Sequence, residues 1–357
     1  MLKLEPRAAP SQLMSYLSPV LAVLLTTLCG ALLFALLGKN PLAGLSVFFW
    51  EPIRNVRGWT EIGVKCTPLI LCAIGYAICY RSSIMSIGAE GMLVAGAIGG
   101  GGMALALDHG NNGGAGAIAL VIVAGMLAGM AWAGITALLK DRFNTNEILV
   151  SLMLVYVAQR IAAWMAFGPM KNPEGFGMPG SRNLQQYPAA SNPELIAGTG
   201  AHWGVVAAAA AVLATWFLMS RHIRGFHIRA AGTAPRAARF AGVRPQTLVA
   251  FCLGLSGALA GAAGLFEVAG PAGQITDKLG VGYGFTAIIV AFLGRLHPLG
   301  ILLAGLLLAL TYIGGELAQL TMSLPAATVQ VFQGMLLFFL LGFDVLTRYQ
   351  IRRRRTA

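Results

Sequence analysis

Seven stretches of this chain, residues 15–38, 115–139, 147–168, 203–220, 247–270, 299–320 and 326–347, run for 18 to 25 residues with at most two charged side chains in each. An apolar run of that length is read as a membrane-crossing helix, because the hydrocarbon core takes about 20 residues at 1.5 Å rise per residue. Composition removes the alternative of buried core helices in a soluble domain. Only 11% of the 357 residues are charged, against roughly 25% in soluble domains, and the mean hydropathy is +0.73. Three shorter or interrupted runs, 66–80, 84–107 and 285–296, bring the expected crossings to ten. The first run follows Lys3 and Arg7, exceeds a signal-peptide core and has no convincing small-residue cleavage site after it, so it reads as a retained span.

Charge placement tests the count. With the N-terminus inside, the cytoplasmic segments hold seventeen of the 25 Lys and Arg: Lys3, Arg7, Arg81, Lys140, Arg142, six arginines between Arg221 and Arg244, Arg295, Arg348 and Arg352 to Arg355. Outside lie seven, namely Lys39, Arg54, Arg57, Lys65, Lys171, Arg182 and Lys278, while Arg160 falls inside a span. That asymmetry supports ten spans with both termini cytoplasmic. Residues 1–14 and 348–357 are then tails of one membrane domain, and the net charge of +12 reflects loop placement rather than nucleic-acid binding. The five cysteines sit in apolar runs without metal-ligand spacing and read as small buried hydrophobes; no cofactor or metal is expected.

Residues 221–246 form the one long basic segment in the second half, with six Arg and no acid. Pro235 suits a first helical position and Thr233 an N-cap, which predicts two helical turns over Arg236 to Val243. Charge by itself makes this a topology signal; a helix so basic and so rich in small residues also suits docking. Residues 39–65, with Phe48, Phe49, Trp50 and Trp59 among charges, read as interfacial. Glycine-interrupted stretches around Ser86 to Gly91 and Gly280 to Phe285 have the character of broken spans beside a transport pathway. Gly96/Gly100, Gly125/Gly129 and Gly257/Gly261 are small-residue pairs, read here as intrachain helix packing. The Pro- and Gly-rich segment 169–202 folds over the outer mouth or receives a soluble partner.

Four stretches together resemble one family: MSIGAEGMLVAGAIGG (85–100), NEILVSLMLVYVA (146–158), IRAAGTAPRAARFAGV (228–243) and GVGYGFTAIIVAFLGRLHPLGI (280–301). They are similar to the membrane permease subunits of bacterial ABC importers for branched-chain amino acids, simple sugars and nucleosides, nearest the nucleoside and simple-sugar branch, over residues 60–345. The resemblance implies an all-α type II importer permease fold in the inner membrane. It implies a permease dimer of identical or related chains, two ABC ATPase subunits on the cytoplasmic face, and an extracytoplasmic substrate-binding protein. Residues 229–243 then match the ATPase-coupling loop, with Arg229, Arg236 and Arg239 as carboxylate partners and Ala231, Gly232, Ala237, Ala238, Ala241 and Gly242 as the close-approach surface. The pattern departs at Val155 and Met92, where amides are expected near the pathway.

Pathway candidates are Gly88, Glu90, Gly91, Glu147, Tyr156, Tyr283 and Phe285. Glu90 reads first as a cap or inter-helix hydrogen bond to backbone freed by the glycines, and Glu147 as a first-turn acid on its helix dipole, ahead of a role in the pathway. Tyr283 and Phe285 offer rings to a flat solute or to the interface. Arg160, one helical turn from Tyr156, needs a partner or a wet cavity. Glu267 and Glu316 are read as snorkelling near outer span ends. The chain has no GxxxxGK[ST]; its one Gly-Lys pair, Gly38-Lys39, is followed by Asn40, so any ATP is bound by another polypeptide. An ATP-independent secondary carrier is the alternative, and it has no use for a basic docking helix. An intramembrane serine protease is remote. Ser256 of Gly254-Leu255-Ser256-Gly257 lies about 13 Å deep, whereas the histidines at 109, 202, 222, 227 and 297 fall in loops or at span ends.

Overall fold

The computed structural model describes residues 2–6, 12–107, 115–173, 180–187, 190, 195, 200–276, 279–280 and 282–353. Arg7, His109, Lys278, Arg354 and Arg355, which entered the reading above, lie outside the described residues, as does part of the segment 169–202. Fourteen helices follow one another among the described residues: α1 (Gln12–Leu36), α2 (Pro41–Leu45), α3 (Glu51–Arg54), α4 (Val56–Arg81), α5 (Ala89–Leu107), α6 (Ala115–Phe143), α7 (Glu147–Phe167), α8 (Trp203–Arg221), α9 (Ile223–Thr233), α10 (Pro235–Phe240), α11 (Pro245–Val268), α12 (Tyr283–Leu293), α13 (Pro298–Met322) and α14 (Ala327–Arg348). Eight of them are long and apolar enough to cross a membrane. The stretches Tyr283–Leu293 and Gln330–Phe343 are apolar but shorter, so eight of the ten expected crossings have the length of a span among the described residues. The tails add one element that hydropathy does not foresee. Strands β1 (Leu2–Pro6) and β2 (Tyr349–Arg353) pair antiparallel, which brings these two segments side by side.

Two compact units divide the chain, one of Gly63–Leu306 and one of Met1–Ile62 with Leu307–Ala357. The larger is built on α5, α6 and α11, and glycine is what brings those three together. A Cβ built on Gly129 of α6 would stand 2.7 Å from the Gly261 Cα of α11, and one on Gly264 would run into the Leu93 carbonyl of α5. Gly96 meets Gly261 in the same way. The small-residue pairs thus serve intrachain packing, where close backbones supply the van der Waals contact that apolar lipid cannot drive. Ser256 is buried against Gly75 of α4, a packing position rather than a nucleophile's.

In the smaller unit, Phe34, Phe48 and Phe332 form a buried cluster with Ala318 and Leu324. Phe48 and Phe332 stand 4.8 Å apart by ring centroid. The interfacial reading of residues 39–65 needs correcting here. Pro41 to Arg54 makes short helical pieces joined by a π-helical turn (Ser46–Trp50), while Val56 to Lys65 continues directly into the span of α4. Phe48 is fully buried; Trp50 and Trp59 stay exposed. Outward rows such as Val20, Leu24, Leu28, Leu32 and Leu36 on α1, all more than half exposed, are apolar at every fourth residue, as a lipid-facing stripe should be.

Candidate functional site

The basic segment folds as two helices with different surroundings. α9 is clamped to the ends of three spans. Gly225 packs on the Leu218 carbonyl of α8, Gly232 packs on the Arg81 carbonyl of α4, and the Arg224 guanidinium lies 4.8 Å from the Phe251 ring centre on α11. Ser83 Oγ donates to the Gly232 carbonyl at 3.1 Å. Thr233 is not an N-cap. It ends α9 and its hydroxyl donates back to the Arg229 carbonyl, while Ala234 precedes Pro235 at the first position of α10.

α10 projects from this base. Arg236, Ala237, Arg239, Phe240, Ala241 and Gly242 are exposed, and so is Arg229 on α9. Gly242 takes φ +86°, which lets the chain turn from α10 toward α11. Ala238 is buried, Gly232 and Ala231 are half-buried, and Gly232 faces its own chain, so these positions give less to a partner than the sequence implied. Phe240, which pattern reading passed over, is 95% exposed. Its signal was available, since a lone aromatic among Arg236, Ala237, Ala238 and Arg239 belongs to no stripe of large apolar side chains in so short a helix. A groove of 460 Å³ beside Arg239 is lined by Lys140, Asp141, Asn144, Pro245 and Gln246. Between Arg221 and Phe251 the chain has no acid to neutralise its arginines.

The pathway candidates separate just as clearly. Glu90, 1% exposed in the first turn of α5, accepts from the backbone N–H of Gly282 at 2.9 Å and of Gly284 at 2.6 Å. Its carboxylate caps the N-terminus of α12, where helix N–H groups have no intrahelical partner and the dipole favours an anion. Gly284 is required there, because a Cβ would stand 2.6 Å from the Glu90 Cα. Gly91 meets the Val155 backbone of α7, and Gly88 the Ser151 side chain. Ser151 Oγ in turn accepts from Ile87 N–H at 3.1 Å. Glu147 is ion-paired with Lys140 at 2.6 Å, and Asn146 caps α7 by accepting from Ile148 N–H.

Tyr283 is buried. Lys65 Nζ donates to its hydroxyl at 3.2 Å, and the hydroxyl donates to Glu267 Oε1 at 3.4 Å. Glu267 therefore does not snorkel; it is 7% exposed and hydrogen-bonded in the interior. Val155 and Met92 are each 1% exposed, so the two departures from the family pattern fall in helix packing and not on an open wall. What stays exposed among the candidates is Tyr156 and Phe285. Arg160 is exposed on the same face of α7 as Tyr156.

At the other end of α8, His202 is the N-cap. Its Nδ1 accepts from Gly204 N–H at 3.1 Å, its ring stacks on Phe266, and burial pushes its pKa down to about 4. Residues 180–185 are tied to the turn after α11. Ser181 N–H donates to the Ile275 carbonyl, Ile275 N–H to Ser181 Oγ, and Leu184 N–H to the Gly273 carbonyl. That part of the segment 169–202 is folded onto the membrane domain.

Residues 59–341 match a family described as branched-chain amino acid transport system / permease component. A glucose ABC transporter permease protein, TsgB13 of Haloferax volcanii, is 34% identical over 98% of this chain and 93% of its own length. The guanosine ABC transporter permease protein NupP of Bacillus subtilis is 26% identical, with 94% of each chain covered. The nucleoside ABC transporter permease protein NupB of Lactococcus lactis is 25% identical over 91% of this chain and 90% of its own. No solved structure matches.

Proposed function

The chain belongs to the branched-chain amino acid transport system / permease component family, and from that premise we propose that it carries a simple sugar across the membrane, driven by ATPase subunits that dock on α10. It is a multi-pass inner-membrane permease subunit of an ABC importer, with ATP hydrolysed on partner subunits. ATPase and substrate-binding partners in general accompany such permeases. In this reading residues 221–246 are the cytoplasmic coupling loop, residues 1–14 and 348–357 are cytoplasmic tails, and a second permease chain, identical or related, completes the pathway.

The observation that carries the docking assignment is α10 itself. Arg236, Arg239 and Phe240 project with no acid in the same segment to answer them, so acidic and apolar surface on another protein is the complement. Arg229, Ala237, Ala241 and Gly242 border that surface. Ala231, Gly232 and Ala238 act from beneath by holding α9 and α10 in place. The pathway is assigned to Tyr156 and Phe285, with Gly88, Glu90, Gly91, Glu147 and Tyr283 building the scaffold behind them.

A sugar is put first because the glucose permease TsgB13 resembles this chain over 98% of its length. A nucleoside is the second reading, supported by NupP and NupB; the amides that Val155 and Met92 replace would sit at buried positions, so their loss does not count against it. Proteoliposomes holding the permease with its ATPase and receptor should take up labelled glucose only when ATP is inside with the ATPase domains. Uptake of guanosine but not glucose selects the second reading. Uptake that needs an ion gradient and no ATP refutes the importer assignment.

A further inference from the structure

One face of α7 is at odds with its place in a membrane. Ser151, Val155, Ala158, Ala162 and Ala166 form a buried stripe on the face that packs toward α5, leaving the opposite face open. Met153, Tyr156, Val157 and Trp164 are exposed there, by 56%, 58%, 47% and 62%, and Arg160 is exposed among them. Arg160 stands two residues from both Ala158 and Ala162, about 200° round the helix from each. No hydrogen bond or ion pair to its side chain occurs among the described residues.

Depth makes this a constraint. Arg160 lies 13 residues from Glu147 and 7 from Phe167, so about 20 Å and about 10 Å from the two ends of the helix. Snorkelling to the nearer end is opposed by geometry, because helical side chains lean toward the helix N-terminus, and that is the farther end here. The lean carries the guanidinium toward the middle of a hydrocarbon core about 30 Å thick. A charge there faces water or a polar partner, not acyl chains. The outward rows of α1 and of α8, where Leu213, Trp216 and Phe217 are exposed, are apolar up to Ser220 and Arg221 at the end of α8, as lipid requires.

We propose that this face of α7 is a wall of the aqueous translocation pathway, and that Arg160 is a solute contact that donates to oxygen atoms of the substrate. A guanidinium presents five N–H donors and no acceptor, so it selects hydroxyl, carbonyl or phosphate oxygens over amino groups. Tyr156, one turn away on the same face, offers a ring for the flat or apolar side of the same solute and a hydroxyl for its edge. The inference rests on the permease reading, and the labelling arm below succeeds or fails without any transport being measured.

The test uses the full importer in membranes with Cys29→Ala as background, since the other four cysteines are buried. Arg160→Cys, Tyr156→Cys and a lipid-facing control, Leu213→Cys, are treated with a charged, membrane-impermeant methanethiosulfonate. Thiols at 160 and 156 should react while the control does not, because a thiol in lipid does not ionise. Equal labelling of all three, or of none, overturns the pathway wall. Tyr156→Cys keeps the test alive should Arg160→Cys fail to assemble.

The contact is tested separately with glucose and guanosine as probes. Arg160→Gln should raise KM for the transported probe roughly 10- to 100-fold, as expected for loss of a charged hydrogen bond, with Arg160→Lys recovering part of it. The transported probe should also slow labelling of Tyr156→Cys. Labelling that the probe does not slow, with KM unchanged in Arg160→Gln, overturns the contact. If the wild-type importer moves neither probe while the thiols still label, the substrate assignment fails and the wall stands.

Discussion

Replacing Phe240 with Ala removes a side chain that this chain does not use. At 95% exposure Phe240 makes almost no intramolecular contact, so the stability of the solubilised permease should change by less than about 0.5 kcal/mol. Full burial of a Phe side chain stabilises by about 1.5–3 kcal/mol, and an aromatic anchor between arginines has the character of an interface hot spot. Phe240→Ala should therefore weaken ATPase binding roughly 10- to 150-fold. The assay is titration of purified ATPase subunit onto the immobilised permease, with thermal unfolding run in parallel. Arg239→Gln should add a salt-sensitive loss of roughly 2- to 5-fold, because a rim charge is screened. Ala238→Glu is the instructive contrast: at 5% exposure it disturbs the fold as well as the interface and cannot separate them. If Phe240→Ala binds the ATPase within twofold of wild type and still supports ATP-driven uptake, α10 is not the docking element and its arginines serve topology alone.

Three further outcomes follow from the geometry. Glu90→Gln exchanges one carboxylate oxygen for an amide that cannot accept from the N-terminus of α12, so thermal unfolding should report a loss of about 1–3 kcal/mol; an unchanged melting curve would refute the cap. Gly264→Ala places a methyl on the Leu93 carbonyl and should destabilise the α5–α11 packing by about 1–3 kcal/mol or prevent expression, read by yield and monodispersity in detergent. His202 has its pKa depressed from 6.5 to about 4, so between those values the unfolded chain binds the extra proton. Its contribution is fully present above pH 6.5 and is lost progressively as pH falls toward 4, by up to about 3 kcal/mol. His202→Asn, which keeps an N-cap acceptor, should flatten that slope in melts recorded from pH 7 to pH 4.

The sequence by itself determined the class and the plan of this protein. Apolar run length located most spans to within a few residues, because bilayer thickness acts on one continuous stretch of chain at a time; α4 began ten residues before its apolar run, since charged residues continue its helix. Helix starts are local in the same way: Asn146 before α7 and Pro245 at the first position of α11 act on their own neighbours. The basic segment stood out because its composition differs from everything around it. Tertiary structure decided the direction each side chain faces. Glu90 found its partners 192 and 194 residues away, and only that contact turned a pathway candidate into a cap. Gly232 and Ala238 look as free as Ala241 in a string of small residues, yet Gly232 is pressed on the Arg81 carbonyl at the end of α4, and on α10 Ala238 is buried while Phe240 is exposed. Val155 and Tyr156 are adjacent in the chain, but 100° of helix rotation buries one against α5 and opens the other. Hydropathy measures how much a residue avoids water; which neighbour shields it, and whether any does, depends on packing between segments far apart in the chain.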